Sequence, residues 1–152
     1  MTISDSIKKD HDDFRAMISK LQKTTIDDRE VRLETFSMLR RKVFAHFIAE
    51  EITVLKDMLK VAELRPLVLG LIEEHRVIRN QIDVLDGTSF NDEIWLPRLG
   101  WISEMFALHL DKEENMVTTV LPKYFSEAQI EALGQVFISS EDEETRNMII
   151  ES

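Results

Sequence analysis

The sequence predicts an all-α protein, an antiparallel up-down four-helix bundle with a short C-terminal helix. Apolar residues recur at spacings of three and four along almost the whole chain, which is the period of an amphipathic helix. Only 4 glycines and 3 prolines interrupt the 152 residues, which favours long helices over a turn-rich β architecture. The 4 histidines divide the chain into two matching halves.

The first two helices are predicted from two apolar stripes that a polar break, Thr24 to Asp28, separates. The first stripe is Ile3, Ile7, His11, Phe14, Ile18 and Leu21. The second stripe is Leu33, Phe36, Leu39, Val43, His46, Glu50 and Val54. Each stripe is expected to face the core of the bundle.

The third and fourth helices follow the same pattern. Pro66 suits the first position of the third helix, Gly87 suits its end, and Pro122 marks the end of the fourth. The third stripe is Leu67, Leu71, His75, Ile78, Ile82 and Leu85. The fourth stripe is Ile102, Met105, His109, Glu113, Met116 and Val120.

The C-terminal part is predicted to be a short helix followed by an acidic tail. Ser126 with Gln129 has the spacing of a capping box, and the helix is expected to end at about Phe137. The remainder, 139–152, is expected to be a frayed helix or an arm. The predicted organisation is one domain over residues 1–152, with the bundle at about 3–122 and the C-terminal helix and acidic tail at about 126–152.

Composition excludes several classes of function. The formal net charge of −10 repels phosphate backbones, so we expect no nucleic-acid partner. The absence of cysteine excludes disulfides, iron–sulfur clusters and zinc–thiolate sites. The chain has no apolar signal-peptide core at Met1–His11 and no apolar run of the length of a membrane span. We therefore expect a cytoplasmic protein without a membrane partner.

The histidines form one repeated pattern. His11 and His75 are 64 residues apart, and His46 and His109 are 63 apart. A glutamate follows each of the latter two at position plus four, and these are Glu50 and Glu113. Because positions i and i+4 stack on one helical face, each glutamate shares the inward face of its histidine.

The intervals also place the four histidines at one level of the bundle. Residues at one height in an antiparallel hairpin are equidistant from its turn. The midpoints of successive histidines fall at positions 28.5, 60.5 and 92, which lie at or near the three predicted turns. The histidines are therefore expected to meet in the core.

A metal centre explains this set better than an ordinary core. One histidine on an apolar stripe is more often a satisfied core residue than a ligand. Here, however, four histidines and two glutamates share one core, and a buried unpaired carboxylate costs several kcal/mol. Metal ions supply the missing positive charge. The residues alone thus predict a ligand set for two transition-metal ions, and iron, manganese and zinc all accept it.

The motifs resemble those of the hemerythrin-like, or HHE cation-binding, family over about Asp10 to Pro122. The motifs are Asp10–His11, His46-x-x-x-Glu50–Glu51, Glu74–His75 and His109-x-x-x-Glu113–Glu114. The resemblance implies a four-helix bundle with two iron ions joined by an oxo or hydroxo bridge. It also implies that the four histidines are terminal ligands and that Glu50 and Glu113 bridge the irons.

The sequence departs from the oxygen-carrying members of that family. They have a further histidine four positions before the one at His75, where this chain has Leu71, and an aspartate where it has Glu114. The set is more similar to the iron-centre repair, nitric-oxide-related and iron-sensing members. Two bridging carboxylates and two histidines per metal give about four protein bonds to each, which leaves room for exogenous ligands.

Three functions remain open from the sequence. The first is a di-iron protein that reacts with or senses oxygen, nitric oxide or peroxide, or takes part in iron handling and repair; if it is an enzyme, its activity is of an oxidoreductase type. The second is a redox or iron sensor that acts through an unidentified protein partner. The third is a structural bundle with a non-redox metal.

The carboxylates beside the candidate ligands keep two interpretations. Asp10, Glu51, Glu74 and Glu114 each adjoin a histidine or glutamate of the set. Adjacent positions on a helix point about 100° apart. Each could therefore hydrogen-bond to a ligand histidine or lie solvated on the surface.

Overall fold

The computed structural model describes residues 1–151, with side chains to Ile149, and this part of the chain contains helices and no strand. The long helices are α1 (Ile3–Gln22), α2 (Arg29–Ile52), α4 (Arg65–Asp86), α5 (Trp95–Asn115) and α7 (Glu127–Glu151). The short ones are α3 (Val54–Met58) and α6 (Leu121–Tyr124), with a 3₁₀ turn at Ala62–Leu64 and a π-helical turn at Met116–Val120. The predicted all-α class is confirmed.

Helices α1, α2, α4 and α5 form the bundle. Each packs against the next along the chain, and α1 packs against α5 to close the ring. Side-chain pairs between α1 and α2 run in opposite chain directions, from Asp10 with His46 to Asp13 with Lys42, as antiparallel helices require. Within residues 1–151, none of the helices has both the length and the hydropathy of a membrane-spanning segment.

The helix boundaries follow from local chemistry. Pro66 lies in the first turn of α4, and Gly87 follows its last residue, as predicted. The capping box before α7 is present, since the Ser126 backbone N–H donates to Gln129 Oε1 at 2.8 Å and the Gln129 N–H to Ser126 Oγ at 3.2 Å. Pro97 falls in the first turn of α5, where a missing N–H leaves no intrahelical bond unmade.

One predicted core position is wrong. Leu33 is 47% exposed, and its neighbour Arg32 is buried instead. The guanidinium of Arg32 donates to the carbonyl oxygens of Thr24 and Phe90 and lies 4.6 Å from the centre of the Trp95 ring. A long side chain that can satisfy loop carbonyls therefore takes the inward place at this end of the bundle.

The C-terminal helix is longer than predicted. It continues past Phe137 to Glu151 and packs along α1 and α2, so the expected frayed helix or arm is an ordered helix up to that residue. Its inward stripe continues through Ile138, Glu141 and Thr145, which are at most half-buried and at helical spacing. Only Ser152 of the predicted tail lies outside the described residues.

The apolar core consists of two clusters along the bundle. One contains Phe14, Phe47, Ile78 and Phe106, and the other contains Ile7, Val68, Met116 and Phe137. On each bundle helix the histidine falls between residues of these two clusters. The polar candidates therefore occupy one layer in the middle of an otherwise apolar interior.

Candidate metal centre

All six residues predicted as metal ligands come together in this layer. None of them is more than 1% exposed. They are His11 on α1, His46 and Glu50 on α2, His75 on α4, and His109 and Glu113 on α5. Each bundle helix therefore supplies one imidazole, and two helices supply the carboxylates.

Glu113 faces both pairs of histidines. Its Oε1 lies 3.1 Å from His11 Nε2 and 3.9 Å from His46 Nε2. Its Oε2 lies 3.0 Å from His75 Nε2 and 3.2 Å from His109 Nε2. One oxygen thus serves each half of the repeat, which is the arrangement expected of a carboxylate between two cations.

Glu50 lies in the same layer. Its Oε1 is 2.9 Å from His46 Nε2 and 3.7 Å from His75 Nε2. Neither oxygen makes a hydrogen bond, and the Nε2 atoms of His46 and His109 make none either. Buried polar atoms without a well-directed hydrogen bond are rare in folded proteins, so this set favours a group that binds them.

A second layer of carboxylates surrounds the histidines. We call Asp10, Glu51, Glu74 and Glu114 the outer carboxylates. They lie 2.8 Å from His46 Nδ1, 3.0 Å from His75 Nδ1, 2.9 Å from His109 Nδ1 and 3.1 Å from His11 Nδ1, respectively. Of the two interpretations left open by the sequence, the structure supports the hydrogen bond to histidine.

The outer carboxylates determine which way the imidazoles face. An ionised carboxylate only accepts hydrogen bonds, so each Nδ1 carries a hydrogen and donates it. When the ring is neutral, its lone pair is then on Nε2, which faces inward. The same pairing makes the imidazole a stronger ligand.

Three of the outer carboxylates are held in turn by basic side chains. Arg15 binds Glu114, Arg79 binds Glu51, and Lys112 binds Glu74, the last at 2.7 Å. Asp10 is different, because the neighbour that shares His46 with it is another acid. Glu141 of α7 places its Oε2 3.2 Å from His46 Nδ1.

Aromatic rings enclose the histidine layer. Phe47 stacks on His75 with ring centroids 3.8 Å apart, and Phe14 meets His46 edge-on at 5.3 Å. Phe137 of α7 meets His46 edge-on at 5.4 Å. These rings keep water from the layer and lower its effective dielectric constant.

The electrostatics of the metal-free protein are those of buried ion pairs. Burial disfavours charge on His109, but Glu113 and Glu74 outweigh it and raise the pKa of His109 to about 10. The pKa values of His46 and His75 are also raised, against burial, by the carboxylates around them. The carboxylates therefore favour the protonated form of these three histidines in the metal-free protein.

The pKa values of the two buried glutamates, Glu50 and Glu113, shift in opposite directions. Burial and the neighbouring charge of Glu113 raise the pKa of Glu50. Burial also acts on Glu113, but the surrounding histidines hold its pKa well below the ordinary value. The ionised form of Glu113 is therefore strongly favoured among the histidines.

Among the acids around the histidine layer, Glu74 and Glu141 have the largest shifts in pKa. The hydrogen bond from His109 lowers the pKa of Glu74 to about 2, although burial opposes it. Burial, together with the charge of Asp10, raises the pKa of Glu141 to about 7 despite the hydrogen bond from His46.

The residues present fit metal ions. Two fully buried sets of three ligand atoms lie within 4.8 Å of one another, His11 with His46 and Glu113, and His75 with His109 and Glu113. Both sets share Glu113. Imidazole nitrogen with carboxylate oxygen is a donor set that suits iron, zinc and manganese.

Comparison with known proteins agrees with metal binding. The hemerythrin HHE cation-binding domain matches residues 2–121 of the sequence. The chain belongs to the hemerythrin HHE cation-binding family. Its membership confirms the resemblance seen in the motifs and makes it a hemerythrin-like metal-binding domain.

The fold has a solved counterpart in this family. The structure is similar to that of a hemerythrin HHE cation-binding domain-containing protein from Mycobacterium kansasii, with a TM-score of 0.85 and 18% sequence identity. The match covers 99% of this chain and 91% of the other. At this identity the likeness shows the fold alone. The sequence has no significant match among curated proteins.

Glu141 is the site residue that sequence reasoning missed in this hemerythrin-like domain. It lies outside the histidine repeat, on a segment predicted to be a tail. The available signal was the continuation of the apolar stripe of α7 from Leu133 and Phe137 to Glu141 at spacings of four. A carboxylate in line with a buried stripe is expected to meet a partner in the core.

Proposed function

We propose that the six residues predicted as metal ligands, here called the six inner residues, bind two metal ions and that the native metal is iron. His11 and His46 would hold one ion, His75 and His109 would hold the other, and Glu50 and Glu113 would supply carboxylate oxygens to both. The observation that carries this proposal is the position of Glu113, whose two oxygens each face a different histidine pair.

Iron in such a site supplies a change of oxidation state and an electrophilic position for small diatomic molecules or peroxide. The protein supplies the rest. The outer carboxylates accept the Nδ1 hydrogens and so keep each Nε2 directed inward. The aromatic rings exclude water, which strengthens every electrostatic interaction in the layer. Manganese or zinc would suit the same ligands.

The reduced iron form is proposed to react with oxygen, nitric oxide or peroxide and not to carry oxygen reversibly. Leu71 supports this, because it is 1% exposed and lies one turn before His75 on the same inward face. A leucine cannot bind metal, so both ions keep room for an exogenous ligand. Two irons that each keep an open coordination position would suit reaction or sensing better than storage of intact oxygen.

Rapid mixing of the reduced iron protein with oxygen tests this function. We expect a fast, irreversible spectral change, with a comparable response to nitric oxide. Uptake of oxygen that is recovered intact under vacuum would contradict it, and no spectral change would favour an inert metal site. Leu71→His is expected to shift the protein toward reversible uptake, since it adds the missing ligand.

A second candidate function is an iron or redox sensor. The observation that favours it is the contact between Glu141 of α7 and His46, because it connects the candidate centre with a helix outside the bundle. A sensor requires that loss or oxidation of metal change an element that a partner can recognise. Comparison of hydrogen exchange in the metal-free and iron-loaded forms separates this function from the first.

A further inference from the structure

We propose that helix α7 encloses the metal centre as a fifth helix beside the four of the bundle. Through Glu141 and Phe137, it controls the release of the metal ion at His11 and His46. This inference rests on the proposed two-metal site. It adds a positioning residue and a mode of regulation to that site.

The first observation is the asymmetry among the four outer carboxylates. Arg15, Arg79 and Lys112, all from the bundle, hold three of them. The fourth, Asp10, has no basic partner in the described ion pairs, and it shares His46 with Glu141. The orientation of His46 therefore depends on an element outside the bundle, whereas that of His109 depends on Glu74 and Lys112 within it.

The second observation is that α7 covers the outer side of His46. Phe137 is fully buried, and its ring contacts the imidazole one turn of helix before Glu141. Helix α7 thus contacts this imidazole in two ways, through an aromatic edge and through a carboxylate on Nδ1.

The third observation is that the equivalent surface in the other half of the repeat, on α4 and α5, is not covered by a helix of residues 1–151. A groove of about 290 Å³ lies between α4 and α5 beside Glu74, and Ile78, Met105 and Leu108 line it. Leu108 is 69% exposed, so no helix of residues 1–151 packs over it. Helix α7 therefore breaks the twofold relation between the two proposed ions and covers only one of them.

The sequence explains why α7 docks on α1 and α2. Ala49 is buried in the cluster that contains Leu133 and Phe137, and its repeat counterpart is Lys112, whose side chain is 57% exposed. Gly134 approaches α1 closely, because a Cβ there would lie 3.2 Å from the backbone nitrogen and Cβ of Ile3. Small residues on both surfaces thus fix the position of Glu141.

These contacts couple α7 to the metal. An ion held by His46 Nε2 would leave more readily if the ring could turn away, and the contacts of His46 with Asp10, Glu141 and Phe137 all oppose that turn. By linkage, a metal ion that fixes His46 also favours the docked position of α7 to the same extent. The ion at His75 and His109 has no such dependence.

The test follows metal release from the fully loaded protein into an excess of a strong chelator. In Glu141→Leu we expect one of the two ions to leave about 10 to 100 times faster than in wild type, because loss of a partner of a ligand histidine lowers metal affinity by about that factor. The other ion, which shares Glu50 and Glu113 with it, is expected to be accelerated much less. Glu141→Gln keeps an oxygen acceptor for Nδ1 and is expected to restore slow release. Glu143→Leu, an exposed site on the same helix, is the matched control.

Hydrogen exchange of α7 supplies a readout that does not depend on release. We expect metal loading to slow amide exchange in α7 of wild type and of Glu143→Leu, and to slow it less in Glu141→Leu. Phe137→Leu keeps apolar packing but removes the aromatic contact, so it is expected to act in the same direction as Glu141→Leu.

Several results would overturn the inference. Unchanged release of both ions in Glu141→Leu, equal acceleration of both, or exchange in α7 that is independent of metal would each do so. If wild type binds two ions and one of these results is found, only the role of α7 fails. If wild type binds fewer than two ions, the proposed function fails as well.

Discussion

At the scale of single residues, each histidine divides its two nitrogens between two tasks. Every Nε2 faces the inner glutamates, and every Nδ1 faces an outer carboxylate. The outer carboxylate always comes from a neighbouring helix. A carboxylate of α1 accepts the hydrogen bond from the histidine of α2, one of α2 accepts it from α4, one of α4 from α5, and one of α5 from α1. This ring of hydrogen bonds holds the four imidazoles in one orientation before any metal binds.

The ring predicts that an outer carboxylate matters for metal affinity. In Glu74→Gln, the charge opposite His109 Nδ1 is lost, and the imidazole becomes a weaker ligand. We expect the affinity for metal, measured by competition with a chelator, to fall by about 10- to 100-fold. The adjacent, exposed Glu73→Gln is the control, and an equal effect in both variants would contradict a specific role for Glu74.

The raised histidine pKa values predict how pH affects the metal-free protein. His109, with a pKa of about 10, and His46 and His75 bind protons more tightly in the folded chain than in the unfolded chain, where the pKa is about 6.5. Their contribution to stability is therefore complete below about pH 6.5 and is lost as the pH rises toward about 10.

Urea unfolding of the metal-free protein at stepped pH measures this effect. We expect the unfolding midpoint to fall between about pH 6.5 and 10. The metal-loaded protein, whose imidazoles would be neutral and bound, is expected to lack this fall and to lose metal in acid instead. A flat stability profile of the metal-free protein across this range would show that its histidines are not charged.

At the scale of helices, periodicity predicted the bundle well and the C-terminus poorly. The stripes located α1, α2, α4 and α5 because each of these helices buries one face along its whole length. The same rule failed at Leu33, where Arg32 satisfies loop carbonyls and displaces the apolar side chain from the core. It also predicted too early an end for α7, because the acidic composition after Phe137 concealed a half-buried stripe.

Helix α7 supplies a prediction at this scale through Gly134. Side-chain atoms at this position would press on the backbone of Ile3, so Gly134→Val is expected to destabilise the protein by about 1–3 kcal/mol, as overpacking does. Gly70→Ala in α4 is the control, because a Cβ there meets nothing within 4 Å. It is expected to stabilise by about 0.5–1 kcal/mol.

Chemical denaturation of both glycine variants in the metal-free state checks these signs. Hydrogen exchange should place the effect of Gly134→Val in α7 and leave α4 and α5 unchanged. If Gly134→Val were as stable as wild type, the close approach of α7 to α1 would not be needed for docking.

At the scale of the whole molecule, the long helices of residues 1–151 form two similar hairpins with one added helix. The repeat made the six inner residues predictable, because matched spacings of 64 and 63 bring the four histidines to one level. The outer hydrogen bonds were not predictable, since each joins residues on different helices and depends on how the helices are rotated. Glu141 was harder still to predict, because α7 has no counterpart among the helices of the part of the chain that the structure describes.

The central claim is that four histidines and two glutamates bind two metal ions per chain. The most direct measurement is the metal content of the iron-reconstituted wild-type protein, with His46→Ala and His109→Ala prepared in parallel. We expect two ions per chain in wild type and a lower content in each variant. One ion or none in wild type, or two ions retained in both variants, would contradict the assignment.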